Sequence, residues 1–314
     1  MNIPKVGKSR KQFSFYCDEW LRVNKIRVKE STYVKYNAIV EKRIKPSLGE
    51  YSVNYLSTSS VENFTHELYA EELQPKTVKD ILIVLNSIFK YSARQYQGMF
   101  KNIEVYYPKN AKKEMRVLTK DEQMRFVNYL LADTDSCKFG TLLALLTGIR
   151  IGELCALRAE NISVKEGIIK VTSTMQRLKN FDESANKKTK IVITEPKSDT
   201  SVRIIPLSGF TLELCKKHIP TVPNAFILSG SSAKIVEPRT LQYKMEKYCR
   251  ECGLEAVHFH TLRHTFATRC VEVGFEIKSL SEILGHSSPQ ITLERYVHSS
   301  LELKRDNMNK LSIV

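Results

Sequence analysis

The sequence predicts a mostly α-helical protein with a small antiparallel β-sheet. It divides into a helical N-terminal domain and a mixed α/β C-terminal domain. Three observations carry this. Apolar residues recur at helical spacing through the first third of the chain. The stretch Tyr106 to Met115 has the Pro, Asn and Lys content of a linker. Beyond it, three short Ile-, Val- and Thr-rich runs lie between further helical patterns. At 314 residues the chain is long enough for two domains of ordinary size.

The elements follow in order. Residues 1–11 form a basic arm containing Lys5, Lys8, Arg10 and Lys11. The first helical pattern runs from about Phe13 to Val28. A second follows Ser31 as N-cap, turns Val34, Ile39, Val40 and Ile44 inward, and ends at Pro46 and Gly49. A third opens at Ser59-Ser-Val-Glu62, a capping-box spacing. A fourth follows Pro75 to about Gln95, with Val78, Ile81, Leu82, Leu85, Ile88 and Phe89 inward. Residues 12–105 are therefore expected to be one helical domain, and 106–116 the linker. Leu118-Thr119-Lys-Asp-Glu122 contains another capping box and opens the second domain, expected over 117–298. Phe139 to Leu146 is an apolar helix, too short for a membrane. Residues 167–174, 188–194 and 201–206 read as three short strands, with Gln176 to Lys187 a loop between strands. Helical patterns resume at Phe210. Residues 299–314 form a tail, helical in pattern from Ser299 to Leu311.

Composition narrows the function. A net charge of +15 and a pI near 9.4 point to an anionic partner such as nucleic acid. No apolar run approaches the ~20 residues that span a bilayer, and Met1 to Arg10 lacks a signal peptide's apolar segment. Seven cysteines, an odd number without a framework, fit a reducing cytosol. A cytoplasmic, nucleoid-associated protein is expected. Cys249 and Cys252, with His258 and His260 downstream, have the residue types of a zinc set. The pair falls within the helical run Leu241 to Cys252 and reads as helical packing, so no metal is expected.

Four places carry chemistry. They are Thr147-Gly-Ile-Arg150-Ile-Gly-Glu153-Leu154, Pro196-Lys197 with Ile-Pro206-Leu207 after it, His260-Thr-Leu-Arg263-His-Thr-Phe-Ala267, and Leu284-Gly285-His286 with Tyr296 ten residues on. Breaking a phosphodiester without a metal needs a nucleophile, cations for the phosphate oxygens, and a proton for the departing oxygen. Tyrosine can attack but needs help losing its proton, since its ordinary pKa is ~10. Arginine binds phosphate oxygens with a planar fork and stays charged. Each residue alone has a plainer reading. Arg150 follows a helix end, Lys197 lies in a turn, and His260 and Arg263 share a helix face. Gly285 reads as a C′ residue with His286 beside it, and Tyr296 sits on a helix begun by Ser288 and Pro289.

Taken together, in this order and with their flanking residues, the four motifs resemble the tyrosine recombinase (phage integrase) family. They span Thr147 to His298, most of the second domain. The resemblance implies a SAM-like core-binding domain followed by the family's catalytic domain. It also implies roles. Tyr296 is the nucleophile and forms a 3′-phosphotyrosyl bond. Arg150 and Arg263 hold the phosphate, Lys197 is the acid for the 5′ oxygen, and His260 assists proton transfer at the tyrosine. His286 donates a hydrogen bond to the phosphate, and Glu153 supports the site. Neither ATP nor a metal is required, and no cofactor is expected. The partners implied are double-stranded DNA and, through the tail at 299–314, a homotetramer on DNA, with a directionality factor in some systems and no membrane. Lys29, Lys35, Lys42, Arg43 and Lys76 are candidate DNA-contacting cations of the first domain.

Within the family, Thr-Gly-Ile-Arg-Ile-Gly-Glu and the long stretch Ile168 to Arg203 look like integrases of prophages and conjugative transposons. The alternatives are a chromosome-dimer resolvase or a DNA invertase. Only about ten residues precede the first helix, so the arm-site-binding domain of such integrases is not expected here. A catalytically silent DNA-binding regulator is the reading from another class, and the complete set of six argues against it. A type IB topoisomerase shares the chemistry and is told apart by relaxing plasmids that lack any target site.

Overall fold

The computed structural model describes residues 11–96, 103–109, 115–182, 186–194 and 202–297, together with residues 305, 308 and 309. The chain divides into two compact units, Met1–Lys113 and Glu114–Val314. The expected basic arm, apart from Lys11, the middle of the linker and most of the C-terminal tail lie outside the described residues.

The first unit is helical. Helix α1 (Phe13–Arg27) is followed by α2 (Glu30–Ile39). Helix α2 starts ahead of the expected cap. Lys29 is the N-cap, its carbonyl accepting from Thr32 and Tyr33, and Ser31 lies inside the first turn. Glu30 at the first position suits the positive end of the helix dipole. Pro46 does not end the helical run, which stops at Leu48 with Gly49 as its C-cap, as expected. Helix α2 passes into a π-turn (Val40–Ile44) and then α3 (Lys45–Leu48). The N–H of Lys45 bonds back to Val40, so the ladder is already offset where proline lacks its donor. Helix α4 (Thr58–Ala70) also begins early, because Ser57 and Ser60 cap each other reciprocally. Helix α5 (Pro75–Gln95) keeps the predicted bounds, and its six expected inward residues are all buried. They pack with Phe13, Trp20, Val40, Ile44 and Phe64 into one core.

The second unit opens with α6 (Lys120–Ala132), capped reciprocally by Thr119 and Glu122 as expected. Helix α7 (Ser136–Thr147) is the apolar central helix, and short α8 (Ile151–Ala156) follows it. Then come β1 (Ile162–Ser163), β2 (Ile168–Val171), β3 (Thr174–Lys179), β4 (Thr189–Thr194) and β5 (Arg203–Pro206). Helices α9 (Gly209–His218), α10 (Pro238–Glu251), α11 (Phe259–Glu272), α12 (Ile277–Leu284) and α13 (Pro289–Tyr296) complete it.

The strands correct the expectation of a single sheet. Strands β1, β2 and β5 form one antiparallel sheet, with Val171 opposite Arg203. Strands β3 and β4 form a separate hairpin, from Thr174 opposite Thr194 to Lys179 opposite Thr189. The run expected as one strand over 167–174 is thus broken, and part of the expected loop from Gln176 is strand. The buried residues of β3, Met175 and Leu178, are three apart and give no period-two signal. Cross-strand pairing, invisible in a local pattern, makes this strand.

Cys249 and Cys252 lie at the end of α10. Cys249 is buried, and Cys252 donates back to the Tyr248 carbonyl. Burial pushes the Cys249 thiol up to about 12, the opposite of a ready thiolate ligand. Among the described residues no helix is long and apolar enough to cross a membrane.

Candidate active site

Two helix ends and one helix face build the site. Helix α7 stops at Gly148, in left-handed backbone at φ 65°. A Cβ there would stand 2.6 Å from the Phe266 ring, so the position is closed to a side chain twice over. The chain then turns through Ile149 to Arg150, the N-cap of α8. Glu153, one turn on and only 4% exposed, reaches back. Its carboxylate accepts from the Arg150 N–H at 3.0 Å and from Arg150 Nη1 at 2.8 Å. Arg150 Nη2 donates to the Gly285 carbonyl at 2.8 Å. Gly285 ends α12 in the same left-handed conformation, at φ 63°.

Helix α11 supplies the facing group. Arg263 is 3% exposed and spans the same two helix ends. Its Nη1 donates to the Gly148 carbonyl at 2.8 Å and its Nη2 to the Leu284 carbonyl at 2.6 Å. Each motif glycine therefore does two jobs. It turns the chain, and it offers a carbonyl to an arginine. Arg150, Arg263 and His260 line a cleft of about 380 Å³ with Thr174, Gln242 and His258. His260 is exposed.

Tyr296 closes α13 with its ring buried in a cluster of Ala267, Cys270, Leu280 and Leu284. Its hydroxyl is 2.9 Å from His264 Nδ1. His264 in turn meets His260 edge to face, ring centres 4.6 Å apart. His286 lies parallel to the Tyr296 ring, 6.3 Å between centres. His286 Nδ1 is fixed by Thr292 Oγ1 at 2.8 Å. The structure thus brings together Arg150, Glu153, His260, Arg263, His286 and Tyr296. Lys197 lies outside the described residues.

The electrostatics are those of a cationic cluster. Burial raises the Tyr296 phenol above its ordinary value, while Arg263, Arg295 and Arg150 pull it back. Burial, then Arg150 and Arg203, lower the Arg263 guanidinium. Burial and the neighbouring arginines hold His286 down at about 3. Burial, His260 and Arg295 hold His264 at about 4, so both rings are neutral near pH 7. Partial burial and the same cations also lower His260. Such a site favours an anion and gives a neutral imidazole to the phenol.

Two residues of this cluster escape a reading of the motifs. His264 directly follows Arg263, and its only signal is its place four residues after His260, on the same helix face. Arg203 lies within β5, buried like Ile205, while Ile204 points out at 55% exposed. The signal there was strand alternation that puts an arginine on the inner face.

Residues 116–302 match the model of the phage integrase family, and residues 12–69 match the phage integrase N-terminal SAM-like domain. The chain belongs to the phage integrase family. Members of this family are site-specific recombinases that cleave and rejoin DNA, and this chain is one of these enzymes. It is 26% identical over 302 residues to a XerC-like tyrosine recombinase of Caldanaerobacter subterraneus subsp. tengcongensis, covering 89% of this chain and 77% of that one. It is 25% identical over 281 residues to the tyrosine recombinase XerA of Pyrococcus horikoshii, covering 82% and 89%. In fold it is similar to the Tn1549 transposon integrase, solved with a circular intermediate DNA. The TM-score is 0.79 at 21% identity, over 96% of this chain and 100% of that one. A lambda integrase dimer bound to a core site superposes with a TM-score of 0.65 at 16% identity, over 90% and 94%.

The candidate DNA-contacting cations of the recombinase's first unit differ in their surroundings. Lys35 is paired with Asp80 at 2.8 Å, and Arg43 is paired with Glu71. Lys29, Lys42 and Lys76 are exposed.

Proposed function

We propose that this recombinase integrates and excises a mobile element, with Tyr296 as nucleophile. The observation that carries the mechanism is the Tyr296 hydroxyl, held inside a cluster that contains Arg150, Arg263, His264 and His286. The scissile phosphate sits between Arg150 and Arg263, which stabilise charge on its non-bridging oxygens. The Tyr296 O–H bond breaks as the oxygen attacks phosphorus, and the proton passes to the histidine pair. His264 is the direct contact and His260 the exposed end of that pair. His286 donates a hydrogen bond to the phosphate. Lys197 protonates the departing 5′ oxygen. The product is a 3′-phosphotyrosyl bond that keeps the phosphoester energy, and a 5′-hydroxyl from a partner strand reverses the step. Glu153 holds Arg150 in place. Residues 12–105 bind the core site, 106–116 link them to the catalytic domain at 117–298, and the tail at 299–314 docks on a neighbouring protomer in a tetramer. Double-stranded recombination sites are the substrate, and a directionality factor sets the balance of integration and excision.

The mobile-element role rests on the Thr-Gly-Ile-Arg-Ile-Gly-Glu motif and the long β2–β5 stretch, and is supported by likeness to the transposon integrase. The XerC-like and XerA relatives favour a second reading, resolution of chromosome dimers. The deciding test offers the protein two plasmids, one with the joined ends of its own element and one with the chromosome's dimer-resolution site. Recombination of only the second would overturn the mobile-element role. The mechanism is tested with a nicked suicide duplex. A covalent 3′-phosphate adduct on Tyr296 is expected, and an adduct on another residue would refute the assignment.

A further inference from the structure

The motifs single out two arginines, and the fold buries a third beside them. The Arg203 side chain is 5% exposed. Its Nη1 and Nη2 donate to Glu153 Oε1 and Oε2 at 3.0 and 2.8 Å, and its Nε donates to the Ile283 carbonyl at 2.6 Å. The same two carboxylate oxygens accept from Arg150, Oε1 from Nη1 and Oε2 from the backbone N–H. One buried carboxylate thus serves two guanidiniums. Three successive carbonyls at the end of α12 complete the set: Ile283 takes Arg203, Leu284 takes Arg263 and Gly285 takes Arg150.

The arrangement poses a charge problem. Glu153 orients Arg150, but a buried carboxylate against Arg150 alone would cancel the charge that a phosphate needs. A second buried cation on the same carboxylate removes that conflict. Packing of β5 against α12 by itself needs no ion: an apolar side chain of similar volume holds such a contact as well, without the cost of desolvating a guanidinium. The bidentate geometry, with Nε used separately, is that of a charge partner.

We propose that Arg203 is the counter-ion of Glu153, a positioning residue through which Arg150 is tethered and still presents its full positive charge to the scissile phosphate. This rests on the reading of Arg150 as a phosphate-binding residue.

The test uses the full-length protein on the nicked suicide duplex, with normal and methylphosphonate linkages at the cleaved position. The methylphosphonate has one negative charge fewer and so depends less on the cation count. Four variants are compared with wild type: R203M, R203K, E153Q and R203M/E153Q. Thermal melts confirm which are folded. On the normal linkage R203M should cleave on the order of a hundredfold more slowly. R203K, which keeps the charge, should lose less. E153Q added to R203M should recover about tenfold or more, because the unbalanced carboxylate is gone. On methylphosphonate the R203M deficit should shrink to severalfold. A deficit equal on both linkages, with no recovery in R203M/E153Q, would show a merely structural arginine and overturn the proposal. If R203M does not fold, folded R203K decides: a deficit on the order of a hundredfold that is equal on both linkages overturns the proposal too. Failure of wild type to form the Tyr296 adduct is a different outcome, which sinks the underlying reading.

Discussion

At the scale of single residues, the site is governed by how few charges are left unbalanced. Arg263 uses both terminal nitrogens on backbone carbonyls and Arg150 uses one on a carbonyl and one on Glu153, so each guanidinium is oriented by fixed partners. Preorganised cations stabilise charge without reorganising at the moment of reaction. Replacing either arginine by alanine should lower the suicide-duplex cleavage rate by about 10²–10³-fold with duplex binding largely kept; a normal rate would remove that residue from the phosphate clamp. Tyr296→Phe should bind the duplex and form no adduct, as gel shift and denaturing gels would report. The histidines give a pH prediction whose sign can be worked out. His264 and His286 are held at about 4 and about 3 in the folded protein, below the ordinary value near 6.5. The unfolded chain therefore takes up protons on them first as pH falls. Their contribution to stability is fully present above about pH 6.5 and is lost as pH drops toward the folded values. The melting temperature should fall between about pH 6.5 and 4, and a His264→Asn/His286→Asn variant should show a shallower slope. An unchanged slope would mean other groups control the acid limb.

At the scale of elements, helix ends decide the geometry. Gly148 and Gly285 are both left-handed C-terminal caps whose carbonyls face the arginines. Gly148→Ala should cost about 1–3 kcal/mol from backbone strain alone. The contact with Phe266 adds to this and shifts the carbonyl under Arg263. Lower melting temperature together with a cleavage defect beyond that of a surface variant of equal stability is the expected result. Gly152 shows the same logic in α8, where a Cβ would stand 2.6 Å from Thr174 Oγ1 and 2.8 Å from the Met175 carbonyl. The helix that carries Glu153 can lie against β3 only because that position has no side chain.

At the scale of the whole molecule, net charge sets the affinity. With +15 on the chain, duplex binding should be dominated by phosphate contacts and should weaken steeply with salt. An affinity loss on the order of a thousandfold between about 50 and 200 mM salt is expected. A nearly flat salt titration would contradict a backbone-led interface. Lys42 and Lys76 are better candidates for those contacts than Lys35 and Arg43, which would have to give up Asp80 and Glu71.

The sequence by itself determined the elements whose signal is local. Apolar spacing named α5 to its end residues, Thr119 and Glu122 announced α6, and Gly148 and Gly285 marked their helix ends. It also named the six catalytic candidates, because a motif preserves residue type and order. Tertiary structure decided what local signals cannot hold. Pro46 looks like a stop in the sequence because a π-turn is not written in residue spacing. The part of β3 from Gln176 to Lys179 looks like loop in the sequence because its pairing partner stands across a hairpin. His264 at the tyrosine and Arg203 behind Glu153 became visible only when helix and strand ends were brought together. Contacts between residues 32 and 50 positions apart are set by packing, and no local pattern encodes them.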